Sequence, residues 1–201
     1  MKHFEVGPCI IQYENLFSPG DFIPLLEDEC KRDWGYLNWY QTTVGSNSSQ
    51  TVTNHRSSLG CELTPLQMEK DLIGIERLKP LADKWLSIRE KLETAIWHYR
   101  NMYSLNMEHD EGFRVLKYGR GAEYKGHVDH HPNNSRILSL VGFLNDDFTG
   151  GELVFPLFDV TVKPKAGSIV LFPSNFPYYH YANAAGAEDD TIKYSFVTWF
   201  Q

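Results

Sequence analysis

The sequence predicts a mainly β, α+β fold: a barrel or jelly roll supported by helices near the N-terminus. Three observations carry this. Helical periodicity is confined to the first half, short apolar runs separated by turn residues fill the chain after Gly112, and aromatics make up 14% of the residues. With 201 residues, 42% hydrophobic and 22% charged, the expectation is one domain over 1–201, with helical and loop-rich support in 1–110 and the β core in 111–201.

Taken in order, residues 4–13 (FEVGPCIIQY) are apolar and β-branched enough for a strand. Ser18-Pro19-Gly20-Asp21 then supplies an N-cap region before a helix in FIPLLEDECKRDWG. Residues 41–58 are rich in Ser, Thr and Asn without apolar periodicity, which predicts a loop or weak hairpin that can serve as a lid. Between Pro80 and Ser104, the positions Leu81, Trp85, Ile88, Leu92, Ile96, Tyr99 and Tyr103 trace one helical stripe. Strands follow in FRVLKY, GRGAEY, RILSLVGFL, ELVFPLF, VTVKPKAG, SIVLF and IKYSFVTWF, with NDDFTGG as a turn.

The formal charge is -7 and no Lys/Arg cluster stands out, so neither nucleic acid nor an anionic membrane surface is an expected partner. A small-molecule or peptide substrate fits better. Cys9, Cys30 and Cys61 are odd in number and widely spaced, as expected for reduced thiols in the cytoplasm. Neither a signal peptide nor a membrane span is predicted.

His-x-Asp/Glu occurs at His3/Glu5, His109/Glu111 and His127/Asp129. Residues i and i+2 of a strand share a face, so an imidazole and a carboxylate at that spacing can bind one metal. His130 and His131 are too close in sequence to complete a triad with the third pair, whereas His180 follows an apolar strand and turn that can bring it back. Two His and one carboxylate leave three coordination positions open, the pattern of non-haem Fe(II) oxygenases. Taken singly, His127 also reads as a surface histidine and His180 as an interior hydrogen-bonded one. In the last strand, Lys193, Ser195, Val197 and Trp199 alternate with Tyr194, Phe196, Thr198 and Phe200, and both faces are largely apolar. A buried ammonium at Lys193 requires an anion, which a dicarboxylate cosubstrate can supply; at the strand mouth it would reach water instead.

These residues resemble the iron(II) and 2-oxoglutarate dependent dioxygenases, within them the prolyl 4-hydroxylase branch, over roughly 110–201. The matching stretches are Tyr118-Gly-Arg-Gly-Ala-Glu-Tyr-Lys-Gly-His127-Val-Asp129, Phe143-Leu-Asn145, Gly150-Gly-Glu-Leu-Val-Phe155, Val162-Lys-Pro-Lys-Ala-Gly167, His180, and Lys193 with Trp199. The resemblance implies a double-stranded β-helix of cupin-like form, with Fe(II) held by His127, Asp129 and His180. It implies that Lys193 pairs with the distal carboxylate of 2-oxoglutarate, that Tyr118 hydrogen-bonds the cosubstrate, and that the Ser195 hydroxyl assists. Phe143 lacks the hydroxyl often found there, so Ser139 is expected to serve beside Lys193. Trp199, Tyr124 and Arg56 are the expected substrate-side residues, Arg56 from the segment His55-Arg56-Ser57-Ser58. Residues 183–191 look like an insertion at the barrel mouth, and Asp129 argues against the related halogenases.

The implied activity is hydroxylation of an unactivated C–H, with a prolyl residue of a peptide or protein as the leading substrate. O2 is consumed, succinate and CO2 are released, ascorbate is supportive, and residues 41–58 form the substrate loop. Free amino acids or small metabolites would use the same site. From another class, a cupin-like module could hold a metal or carboxylate without turnover.

Overall fold

The segment 4–13 folds as two strands and not one. β1 (Lys2–Gly7) and β2 (Ile10–Glu14) pair antiparallel. Pro8 has no N–H to give a ladder, and Cys9 adopts a positive φ of 55°, so the chain turns back between them. The computed structural model describes residues 1–43, 56–63, 75–130, 135–186 and 190–201.

Helix α1 (Phe22–Cys30) begins after Asp21 as expected but stops well before Gly35. The Glu29 carboxylate turns inward, accepting bonds from Tyr36 N at 2.6 Å and Arg77 Nη2 at 3.3 Å, and the chain leaves the helical path around it. β3 (Tyr40–Gln41) and β4 (Leu59–Glu62) pair at the base of the Ser/Thr/Asn-rich segment, as a hairpin would. Residues 44–55, on which the expected lid falls, lie outside the described residues. α2 (Lys79–Met102) carries Pro80 in its first turn, where a missing N–H costs nothing. It buries Leu81, Trp85, Ile88, Leu92 and Tyr99 of the expected stripe.

The second half is strand after strand: β5 (Arg114–Tyr118), β6 (Ala122–His127), β7 (Leu138–Phe143) and β8 (Leu153–Phe155), then β9 (Val160–Val162), β10 (Ser168–Pro173), β11 (His180–Ala185) and β12 (Lys193–Phe200). They form two antiparallel sheets, one of eight strands in the order β1-β2-β10-β7-β12-β5-β4-β3 and one of four in the order β6-β11-β8-β9. This is the jelly-roll arrangement that short strands with frequent turns predict. Among the described residues no helix is long and apolar enough to cross a membrane.

Strand β12 explains how the layers are divided. Its residues Tyr194, Phe196 and Phe200 join the core between the large sheet and the helices, while Lys193, Ser195, Val197 and Trp199 face a cavity between the sheets. Gly142 on β7 sits opposite Phe196, and a Cβ there would come within 2.1 Å of that ring, so only glycine allows the aromatic to lie across the strand. Trp85 of α2 anchors the helical side, fully buried with its ring 5.1 Å from Phe113, 5.7 Å from Phe196 and 5.8 Å from Phe22. Trp85→Ala is expected to cost about 3–5 kcal/mol by urea denaturation. Trp85→Phe should cost much less, because the indole Nε1 has no partner among the described residues. Equal losses for the two would show that the aromatic packing is not what matters there.

Candidate active site

Strand pairing brings two of the expected ligands side by side. β6 ends at His127 and β11 begins at His180, and these two residues are direct partners in the antiparallel register, with rings 4.3 Å apart. Asp129 follows β6, its N–H bonded to the Ser174 carbonyl at 3.1 Å. Its Oδ1 lies 3.3 Å from His127 Nε2 and its Oδ2 3.7 Å from His180 Nε2. One ligand atom from each of the three residues lies within 4.8 Å of the others.

The donor set suits a divalent metal. His127 Nδ1 is 2.9 Å from the Lys125 carbonyl and His180 Nδ1 is 3.0 Å from the Tyr178 carbonyl. A carbonyl only accepts, so both Nδ1 atoms carry the hydrogen and both Nε2 lone pairs point inward. Burial pushes His180 down to about 4, with the attraction of Asp129 opposing and the repulsion of His127 adding, so its imidazole is neutral at physiological pH. For Asp129, burial alone would raise the carboxyl. His180, His127 and the Ser139 hydroxyl outweigh it and hold the group well below the usual carboxylate range. Neutral imidazole and ionised carboxylate are the forms that bind first-row divalent metals.

Lys193 opens β12 opposite Tyr118 of β5, and its side chain is 3% exposed. Its Nζ donates to the Gly151 carbonyl at 2.6 Å and lies 4.9 Å from the Tyr118 ring centroid. Gly151 takes a φ of 70°, and a Cβ there would meet Lys193 Cδ at 2.9 Å, so glycine makes room for the lysine stem. No carboxylate forms an ion pair with Lys193 among the described residues. Burial lowers its pKa to about 8, against the distant pull of Glu152. Tyr118 is buried too; burial raises its pKa and keeps it neutral, while hydrogen bonds to Ser58 and Arg56 oppose.

The substrate-side residues meet at the same cavity. Arg56, 5% exposed, bridges to Tyr124, stacks over that ring at 4.5 Å and donates through Nε to Ser58 Oγ at 3.2 Å. Tyr124 in turn stacks on His127 at 3.8 Å. Trp199 lies under the Arg136 guanidinium at 3.9 Å. Ser195, Leu116, Val141, Leu153 and Val197 complete a largely apolar wall.

One expected residue lies elsewhere. Ser139 does not line the cavity beside Lys193; its hydroxyl donates to Asp129 Oδ2 at 2.7 Å. It stands four positions before Phe143, and at about 3.3 Å per residue β7 carries it to the metal-ligand end of the strand. Ser174, which pairs with it, went unread because a serine after an apolar strand carries no distinguishing signal. His130 sits at the surface with Nδ1 bonded to the Arg136 carbonyl at 3.1 Å, and His131 lies outside the described residues. Of the expected insertion 183–191, the first part extends β11 to Ala185, and residues 187–189 lie outside the described residues.

Comparison with known proteins agrees with this geometry. The profile of the 2OG-Fe(II) oxygenase superfamily matches residues 113–201. Two relatives from Arabidopsis thaliana are a probable prolyl 4-hydroxylase 9, 33% identical over 91 residues, and a probable prolyl 4-hydroxylase 10, 31% identical over 97. The matches cover 34% and 35% of this chain and 32% and 34% of the relatives, so the chain spans about a third of the length of the curated relatives it matches.

Among solved structures, the fold is similar to a collagen prolyl hydroxylase of Paramecium Bursaria Chlorella virus-1 (TM-score 0.64, 17% identity, 96% of each chain). It is similar also to a prolyl-4-hydroxylase of Pseudomonas putida (TM-score 0.63, 23% identity, 96% of this chain and 91% of that one). A prolyl hydroxylase of Trichoplax adhaerens, in complex with a hypoxia inducible factor peptide fragment, gives a TM-score of 0.66 at 14% identity, over 95% of this chain and 82% of that one. The two facing sheets are thus the double-stranded β-helix of these oxygenases.

Proposed function

We propose, from the match of residues 113–201 to the 2OG-Fe(II) oxygenase superfamily and from the site's geometry, that this chain is an Fe(II)- and 2-oxoglutarate-dependent dioxygenase that hydroxylates a prolyl residue in a peptide or protein. The observation that carries the reading is the pairing of two features in one cavity: a metal-ligating trio with open sides, and a buried Lys193 ammonium with no counter-ion among the described residues. A buried cation without an anion is costly, so the site is built to receive one.

Iron with 2-oxoglutarate and O2 supplies the oxidising power for C–H hydroxylation, releasing succinate and CO2. The chain does the rest. His127 Nε2, His180 Nε2 and Asp129 hold the metal, and the carbonyls of Lys125 and Tyr178 fix both rings in the binding tautomer. Lys193 pairs with the distal carboxylate of the cosubstrate, with the hydroxyls of Ser195 and Tyr118 close by. Leu116, Leu153 and Val197 keep water out. Trp199, Tyr124 and Arg56 receive the substrate; aromatic faces suit the apolar ring of proline, and the guanidinium suits the carbonyls beside it. The whole chain acts as one unit in this reading, since the core under β12 draws residues from Ile11 to Phe200. A reducing, cytoplasmic setting goes with it, supported by the odd number and wide sequence spacing of Cys9, Cys30 and Cys61.

The test is direct. Proline-rich peptides incubated with the chain, Fe(II), ascorbate and 2-oxoglutarate should yield succinate and, by mass spectrometry, one added oxygen on a prolyl residue. Oxygen added to free proline and to no peptide would move the substrate to the amino-acid class, and no succinate under any condition would leave a binding module.

A further inference from the structure

The two oxygens of Asp129 are treated differently by the fold. Oδ1 lies 3.3 Å from His127 Nε2 and accepts no side-chain hydroxyl among the described residues, whereas Oδ2, 3.7 Å from His180 Nε2, also accepts the Ser139 hydroxyl at 2.7 Å. Ser139 Oγ lies in turn 2.8 Å from Ser174 Oγ, and the two serines are 1% and 0% exposed. A hydroxyl has one hydrogen to give, so Ser139, having given its own to Asp129, must accept from Ser174. The chain of donors therefore runs one way, from Ser174 to Ser139 to the carboxylate. Ser174 is itself fixed: its carbonyl accepts from Asp129 N at 3.1 Å and His130 N at 2.9 Å, and its N–H donates to the Ile137 carbonyl at 3.1 Å. Backbone and side chain of Asp129 are thus clamped by the same two serines.

We propose that Ser139, backed by Ser174, is a positioning residue that keeps Asp129 a one-oxygen metal ligand. This rests on the oxygenase reading above. A six-coordinate metal held by two imidazoles and one carboxylate oxygen has three positions left, enough for a two-oxygen chelate of 2-oxoglutarate and one further ligand. If Oδ2 also bound, two positions would remain and the chelate would fill both. A hydrogen bond to a charged group is strong enough to bias a carboxylate between one-oxygen and two-oxygen binding by about tenfold or more. The hydroxyl at Ser139 engages one lone pair of Oδ2 and weakens that oxygen as a metal donor, which biases the site toward keeping the last position.

The experiment uses the full chain, anaerobic, with Fe(II), 2-oxoglutarate and nitric oxide as a diatomic probe, read by electron paramagnetic resonance per bound iron. Ser139→Ala should weaken Fe(II) binding by no more than the roughly 10- to 100-fold expected when a ligand loses its orienting partner, and once saturated with Fe(II) and 2-oxoglutarate it should still lose about tenfold in nitric oxide occupancy per bound iron. Ser139→Thr, which keeps the hydroxyl, should recover it, and Ser174→Ala should fall between. Should Ser139→Ala fail to fold, Ser139→Cys keeps the volume with a weaker donor and is read in the same way. A native nitric oxide signal in the variant lacking the hydroxyl would overturn the proposal, as would loss of metal in Ser139→Ala and Ser139→Thr alike. Failure of the oxygenase reading shows separately, as native chain that takes up Fe(II) but gives no visible charge-transfer band with 2-oxoglutarate.

Discussion

Asp129→Ala should abolish Fe(II) binding and, with it, all succinate formation. The carboxylate is the only anionic donor of the trio, and the two imidazoles that would remain are neutral ligands on adjacent strands. Loss of a partner that merely orients a ligand costs about 10- to 100-fold in metal affinity, so loss of the ligand itself should exceed that. His127→Ala and His180→Ala should behave alike. The check is equilibrium metal binding beside succinate release, with circular dichroism to confirm that the sheets form. Turnover at the native rate in any of the three would remove the iron assignment, and with it the reason for reading the cavity as catalytic.

That trio was legible for a physical reason. His127 and Asp129 stand two apart at a strand end, where one face repeats every second residue, and the apolar run SIVLF followed by a turn says that the chain must come back. The register of β6 with β11, which puts His180 beside His127, was not written in any local pattern; it depends on how long the connection is and what it packs on. The stripe of α2 was legible because 3.6-residue periodicity is a property of the helix alone. Hairpin formation inside 4–13 was missed because apolar residues flank Gly7-Pro8-Cys9 on both sides and mask the turn. Early termination of α1 was missed because it depends on Glu29 meeting Tyr36 and Arg77, the latter 48 residues away.

Ser139 shows where that legibility ends: its hydroxyl bonds Asp129 Oδ2 and not a group beside Lys193. Phe143 lacks a hydroxyl, and Ser139 shares its face of β7, opposite Trp199 as Phe143 is opposite Ser195. Facing the same way is not the same as reaching the same group. Along an extended strand, four residues separate two sites by about 13 Å, and the cosubstrate end of β7 is not its metal end. Residue type and face can be read from a sequence; position along the barrel axis needs the register.

Lys193→Met should raise the 2-oxoglutarate requirement by more than about 100-fold, the loss expected when a buried, charge-assisted contact is removed, while Fe(II) binding stays near native. The same substitution should make the ligand-free chain more stable. Burial lowers the lysine from its ordinary 10.5 to about 8, so between those values the unfolded chain holds a proton that the folded chain does not. Stability therefore rises with pH across that window, and below about 8 the folded chain carries the full penalty of a charged buried amine, on the order of 3 kcal/mol. Methionine fills the stem's volume without the charge, and relief of that penalty should lift the melting temperature by several degrees. Cosubstrate affinity in the native chain has the opposite dependence: it needs the ammonium, so it should hold steady below about pH 8 and weaken above, while the variant shows no such bend. Iron binding lost in step with 2-oxoglutarate would make the lysine structural. An affinity that ignores pH from 7 to 9 in the native chain, with no gain in melting temperature on substitution, would take the ammonium out of the cavity altogether.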